Sequence, residues 1–309
     1  MSFLLGRRVD FPMALPIPVS RRVPSKGIGL EAWMDRVLET ADAVQRTWDA
    51  DAVHDLRVAL RRCRTMAEAL SEVNPGAGWR KLKKSSRQVF HTLGLLRDIQ
   101  VEREWVRKLG TPGEPMRCHL LRGLAQEIRI RQEKAKLDLD HLDRKDWRKL
   151  ARKLGAKAQF FPPESVVFQR LALGSLNEAV ELYARAKKGR SRIAWHRLRI
   201  GLKEFRYVVE NFLPRRYESW APDLKRMQDL LGEVHDLDVL RVEIRRRSNG
   251  LDANSVAEWF GRIEKERQSR LDQFVARIGA KDAIWHAWRA GLQGGTSLQA
   301  VSLIEAQTA

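Results

Sequence analysis

One stretch of this chain limits its possible folds more than any other, because it is written twice. His54-Asp-Leu-Arg57-Val-Ala-Leu-Arg61-Arg62-Cys-Arg64 returns 142 positions later as His196-Arg-Leu-Arg199-Ile-Gly-Leu-Lys203-Glu-Phe-Arg206. Histidine, arginine, a basic residue and arginine recur at i, i+3, i+7 and i+10. At about 100° per residue these four positions fall within an arc of roughly 80° on a helix. The far side is apolar in both copies: Val53, Leu56, Leu60, Cys63, Ala67 and Leu70 in the first, and Trp195, Leu198, Leu202, Phe205, Val209 and Phe212 in the second. Each copy therefore predicts an amphipathic helix with one face to bury and a cationic stripe left over. A solvated helix face usually mixes charge signs, since i,i+4 ion pairs add a few tenths of a kcal/mol each. None of the eight stripe positions is acidic. An unneutralised stripe made twice points to anion binding.

A second repeated element follows each stripe. Leu93-Gly94-Leu-Leu-Arg97-Asp98-Ile-Gln-Val101 corresponds to Leu231-Gly232-Glu-Val-His235-Asp236-Leu-Asp-Val239, now at an offset of 138. The turns between stripe and element, Asn74-Pro-Gly-Ala-Gly78 and Pro214, thus differ by four residues. Glycine inside a helix costs about 1 kcal/mol against alanine, so a repeated one predicts close helix–helix approach. Asp98 and Asp236 are expected to orient basic residues of the stripes rather than to act as catalytic acids.

These four blocks, in this order, resemble the CHAD domain (conserved histidine α-helical domain), over about residues 28 to 292. The resemblance implies an all-helical fold of two pseudo-symmetric four-helix bundles. It also implies binding of inorganic polyphosphate through the basic surface, and a location at polyphosphate granules. Some members of that family carry a CYTH triphosphatase domain upstream. Only about 28 residues precede the match and no Glu-x-Glu-x-Lys signature occurs, so a stand-alone member is expected.

Composition agrees with the helical reading. The chain is 43% hydrophobic and 31% charged, which is globular rather than disordered, and helix formers dominate it. The expected fold class is all-α, as two tandem pseudo-symmetric helical bundles of four to five helices each. Residues 1–28, with Pro12, Pro16, Pro18 and Pro24, read as an irregular arm. A first repeat over 29–155 has helices near 30–47, 51–72, 78–108, 116–138 and 142–154. The breaker-rich stretch Gly155 to Pro163 separates it from a second repeat over 164–292. There helices are expected near 165–188, 191–212, 219–247, 253–277 and 281–291, before a loose tail over 293–309. If the halves pack about a pseudo-twofold, the two stripes would lie side by side as one basic trough.

The 58 Lys and Arg against 39 Asp and Glu leave a net charge of +19, which favours polyanionic partners and strongly salt-dependent binding. Two cysteines are too few for a disulfide framework and suit a reducing compartment, with Cys63 expected in the core. Prolines interrupt the apolar stretch Phe11–Val19, against a signal peptide, and no run approaches the 18 apolar residues of a membrane span. The expected location is cytoplasmic, with granules added by the resemblance, and no membrane partner.

A polyphosphate binder needs many cations and few stacking platforms. Arginine offers forked donors that bridge phosphate oxygens, lysine a point charge, and histidine a donor whose charged form phosphate favours. The candidate polyphosphate-binding residues are His54, Arg57, Arg61, Arg64, His196, Arg199, Lys203 and Arg206 on the stripes. Arg97 and His235 join them from the second elements. Arg87 and Lys225 occupy equivalent positions there, and Lys84 shares a helical face with Arg80, Arg87 and His91; Arg226 is a weaker candidate. Tyr207 is expected to pack or hydrogen-bond. No metal site is expected, because the histidines lack ligands at i+3 or i+4 and stand among cations. No cofactor is expected either; the lack of a Walker-type phosphate loop speaks against a phospho-histidine relay, and the lack of a nucleophile elbow against Ser-His-Asp chemistry. The expected function is non-enzymatic binding of inorganic polyphosphate, a long linear polyanion. Nucleic acid, RNA in particular, or a generic polyanion is the alternative. Against it, single-strand sites interleave aromatics with cations, whereas Trp33, Trp195, Trp259 and Trp285 fall at apolar positions. An enzyme acting on phosphoanhydrides would need carboxylates for Mg²⁺, and the stripes have none.

Overall fold

A computed structural model describes residues 29–189, 191–249 and 251–294, and they form helices joined by short turns, with no strand among them. The first half contributes α1 (Leu30–Thr47), α2 (Ala50–Val73), α3 (Ala77–Ser85), α4 (Arg87–Leu109), α5 (Pro115–Asp140) and α6 (Arg144–Ala158). The second contributes α7 (Val166–Gly189), α8 (Arg192–Phe212), α9 (Pro214–Arg247), α10 (Ala253–Ile278) and, after a short 3₁₀ turn, α11 over 283–294. The expected arm over 1–28 lies outside the described residues, as does the expected tail from 295 onward; residues 293 and 294 still belong to α11.

Local chemistry sets many of the helix starts. Asp49, Asp143 and Asp252 accept from the backbone N–H of Ala52 (2.7 Å), Asp146 (2.8 Å) and Ser255 (2.8 Å), capping α2, α6 and α10. Pro214 does not break the chain before α9. It occupies the first helical position, where its missing N–H costs nothing, and the helix runs on through Pro222. At the other end of the first half, α6 continues past Gly155 to Ala158. A Cβ at Gly155 would lie 2.7 Å from the Cβ of Glu31, so this glycine serves the close packing of α6 on α1 rather than a break.

The twelve apolar positions on the back of the two stripes are all buried. The helix order repeats, with α5 and α10, and α6 and α11, related by the same offset of 138. Trp147 of α6 and Trp285 of α11 are equivalent, and both are buried. The Trp147 indole N–H donates to the Met34 carbonyl at 2.8 Å, tying α6 to α1, while Trp285 packs on Tyr183 of α7. The cores of the halves merge. Buried residues of α1, α2, α7 and α8 belong to one cluster, and the α4–α5 and α9–α10 hairpins close on a second around Ile99, Trp105, Leu237, Leu240 and Trp259. Across the pseudo-symmetry α2 packs on α8 and α4 on α9, so each stripe helix meets its own counterpart.

The helix expected over 78–108 is two helices. The α-helical ladder is interrupted at Ser86, whose hydroxyl donates to the Leu82 carbonyl at 2.9 Å. Lys84 and Arg87 therefore stand on different helices, and both are exposed, as are Arg80 and His91. In the second half α9 is unbroken at the equivalent place.

Candidate anion-binding site

The packing of α2 on α8 brings four stripe cations from the two halves together: Arg57 and Arg61 with Arg199 and Lys203. The Arg61 guanidinium donates to the Tyr207 hydroxyl of α8 at 3.0 Å, so Tyr207 serves as an acceptor between the halves. The Lys203 ammonium lies over the same ring, 5.9 Å from its centroid. None of the four makes an ion pair with a carboxylate among the described residues. Arg57 Nη1 and Arg61 Nε are buried donors without an acceptor among the described residues, the kind of group that a folded protein rarely leaves unmatched.

Crowding of like charges changes their chemistry. Burial, then the charges of Arg61, Arg199 and Arg57, lower the pKa of Lys203 to about 7. Burial and Arg61 hold Arg57 down to about 10, and burial also lowers Arg199, against the pull of Asp236. Asp236 is pushed up to about 7, by burial first and also by Asp98, while Arg199 and Arg97 oppose the rise. The sequence thus hid one thing. The stripes carry no carboxylate, yet α4 and α9 deliver Asp98 and Asp236 to the cluster from opposite halves. Both act on Arg57 or Arg199 through space, and neither forms the expected orienting ion pair among the described residues.

At the head of each stripe the repeat diverges. His54 faces Arg97; loss of hydration lowers its pKa and Arg97 adds to the effect. Arg97 also reaches Glu104 at 3.4 Å. His196 instead meets His235, Nδ1 to Nδ1 at 3.2 Å, so one ring must present a bare nitrogen to the other's N–H. Desolvation, Arg199 and His196 hold His235 down to about 4, and desolvation followed by Arg199 lowers His196. No group of three or more His, Cys, Asp or Glu side chains is placed to hold a metal ion among the described residues.

The tail of each stripe is taken up by the fold. Arg64 fills the gap in the helix ladder at Ser86, donating to the Lys83 carbonyl at 2.6 Å and to the Ser86 hydroxyl at 3.1 Å. Arg206 donates to Gln228 Oε1 at 2.7 Å and pairs with Glu210 at 3.4 Å. Glu210 also holds Arg62 and accepts from the Tyr217 hydroxyl at 2.7 Å. Lys84, Arg87 and Lys225 are exposed on α3, α4 and α9, away from ion pairs among the described residues, and Arg226 reaches Gln273 at 2.5 Å.

Two contributors were not read from the sequence. Phe90 of α4 lies under Arg57 and Arg64, with centroid distances of 5.6 and 5.1 Å, a cation–π support. Its place on α4, one residue before His91, carries no signal by itself. Gly94 was read as a mark of helix–helix approach, but a Cβ there would stand 2.7 Å from Arg57 Nη1. Its counterpart Gly232 faces open space. Gly94 therefore makes room for a guanidinium.

A family model for the CHAD domain matches residues 29–245. This chain belongs to the CHAD domain family. The crystal structure of the CHAD domain from the plant Ricinus communis shares the fold with a TM-score of 0.55 at 23% identity, covering 85% of this chain and 89% of that one. No curated protein matches the chain. In this CHAD protein the family match holds both stripes and both Leu-Gly elements and ends within α9, before α10 and α11.

Gly94 offers a test of how the CHAD stripe is supported. Gly94→Ala is expected to leave melting temperature unchanged or higher, because alanine gains about 1 kcal/mol in helix propensity and the clash falls on a flexible side chain. It is expected to displace Arg57 and weaken polyanion binding several-fold, whereas Gly232→Ala should stabilise without touching binding. Thermal melts and a binding titration on both variants check this; equal binding by the two would show that the Gly94 gap serves packing alone.

Proposed function

We propose that this CHAD protein is a non-enzymatic binder of inorganic polyphosphate, gripping the chain in a basic trough between α2 and α8. The reading rests above all on the meeting of Arg57, Arg61, Arg199 and Lys203 from two halves with no paired carboxylate among the described residues. A buried cluster of like charges lowers the stability of its fold, and such perturbed clusters concentrate at functional sites. Forked guanidinium donors suit phosphate oxygens, and His54, Arg97, His196 and His235 would lengthen the grip at one end. Arg64 and Arg206, engaged with Ser86 and Glu210, act as supports of the trough walls. Arg87, Lys84, Lys225 and Arg226 continue the positive surface beyond the trough.

Nucleic acid is the second reading, and the aromatic placement disfavours it. Phe90 lies under guanidinium groups and Tyr207 is buried, so neither offers a face on which a base can stack. Phosphoanhydride cleavage would ask for several metal-binding carboxylates grouped together, and among the described residues Asp98, Asp236 and Glu204 act on the cluster only through space, with no group of three placed to hold a metal ion. Among the described residues no helix is long and apolar enough to cross a membrane. The polyphosphate reading itself puts the protein's action at polyphosphate granules in the cytoplasm.

Competition decides between the readings. Labelled long-chain polyphosphate should be displaced by unlabelled polyphosphate far better than by an equal charge of RNA, with no Mg²⁺-dependent phosphate release. Equal displacement by RNA would identify a generic polyanion binder, and phosphate release an enzyme.

A further inference from the structure

The outer face of α6 carries Lys145, Arg148, Lys149, Arg152, Lys153 and Lys157. All six are exposed, and none pairs with a carboxylate among the described residues. The one acidic residue of the helix, Asp146, is taken by Lys81 of α3 at 2.8 Å, and Arg144 is taken by Asp42 of α1. Four like-charge pairs therefore stand at i,i+4 on one short helix: 145 with 149, 148 with 152, 149 with 153, and 153 with 157. Each such pair destabilises the helix that carries it.

The duplication supplies an internal control. α11 is the counterpart of α6 and presents Trp285, Trp288 and Leu292 to the core where α6 presents Trp147, Leu150 and Leu154. At the positions matching Lys145, Arg148, Lys149, Arg152 and Lys153 it carries Ala283, His286, Ala287, Ala290 and Gly291. The fold thus builds this helix without the cations, so their presence on α6 answers no packing need.

We propose that the α6 face is a second polyanion-binding surface, on which a long polyphosphate held in the α2–α8 trough continues over α3 and onto α6. The proposal rests on the polyphosphate reading of the trough. α3 provides the bridge: it packs on α2, α4 and α6, exposes Arg80 and Lys84, and ends at Ser85, two residues before Arg87. A membrane surface fits less well, because the apolar face of α6 is buried against α1 and α3 and has nothing to insert. A nucleic acid fits less well too, because Phe160, just beyond the helix end, is the one large exposed aromatic near the face among the described residues.

The test is a quadruple variant, Lys145→Ala, Arg148→Ala, Lys149→Ala and Lys153→Ala, in the full chain. Alanine is what α11 tolerates at two of these positions, so folding should be kept, with melting temperature equal or higher. Two probes are titrated: tripolyphosphate, too short to span both surfaces, and long-chain polyphosphate. The expected result is unchanged tripolyphosphate affinity, a long-chain affinity at least about tenfold weaker, and a log–log salt slope smaller by about three to four, by analogy with counterion release from nucleic acids. Unchanged long-chain binding would make the face a solvated surface and overturn the proposal. Equal loss for both probes would overturn it too, by making α6 a diffuse field rather than a track. Should phosphatidylserine vesicles sediment with the parent but not the variant while polyphosphate binding holds, the face belongs to a membrane. Failure of the parent protein to bind either polyphosphate would instead sink the trough reading, and this proposal with it.

Discussion

Replacing Arg57 and Arg199 together by alanine should cost at least about a hundredfold in polyphosphate affinity, since a hydrogen bond to a charged group contributes about 1.5–3 kcal/mol. It should also flatten the salt dependence by about two, since each lost phosphate contact removes about one released counterion. The two arginines are equivalent in the repeat and both act on Lys203 at the α2–α8 contact, so each single variant leaves its twin in place. Helicity by circular dichroism should stay near that of the parent, because both side chains lie on the far side of their helices from the buried Leu56, Leu60, Leu198 and Leu202. Arg57→Lys with Arg199→Lys should fall between, keeping the charge and losing the fork. Binding that survives the double alanine variant at an unchanged salt slope would reduce the stripes to solvated faces.

Lys203→Met should stabilise the protein at neutral pH while weakening polyphosphate binding. The ammonium is held from its ordinary 10.5 down to about 7, so between these limits the unfolded chain binds the extra proton. Stability then rises with pH across that window on this residue's account, and the neutral side chain removes the slope. Each kcal/mol gained should raise the melting temperature by roughly 2–4 °C in a chain of this size class. Asp236, pushed up to about 7 from 3.8, contributes the opposite slope: stability falls as pH rises between those values. Binding carries the same signature. A polyanion favours the charged forms of Lys203, His54 and His196, so complex formation near neutrality takes up protons and tightens as pH falls. Protonation of Asp236 acts in the same direction. Calorimetry at pH 7 in two buffers of different ionisation enthalpy measures the uptake, which should drop by about half a proton in Lys203→Met, since a group with its pKa near 7 is already half protonated there. Equal uptake in both proteins would show that Lys203 is not answered by the ligand.

Several features are legible in the sequence because they depend on short spacings. Buried Val53, Leu56, Leu60 and Cys63 recur at helical period, and so do Trp195, Leu198, Leu202 and Phe205. A 3.6-residue period is a local property, so faces and elements follow from it. Breaks were harder. Pro214 reads as a stop and is a start; Gly155 reads as a boundary and is a packing gap; nothing in Lys84-Ser-Ser-Arg87 announces the interruption at Ser86, which Arg64 completes from a different helix. The glycines were read for their cost in a helix, and the use of Gly94 lies in the guanidinium opposite it.

The sequence by itself determined that this chain is a duplicated helical unit, that each copy carries a histidine-led basic stripe over an apolar back, and that the charge has no answer along its own row. Only the tertiary structure decided which stripe cations are spent on the fold and which are left over. Arg64 and Arg206 are claimed by Ser86 and Glu210, whereas Arg57, Arg61, Arg199 and Lys203 converge without carboxylate partners among the described residues. It also decided that Asp98 and Asp236 share their cluster and that His196 faces His235. The physical reason is range: a helix face is set by neighbours three and four positions away, but charge is answered through space, by residues that only packing can place.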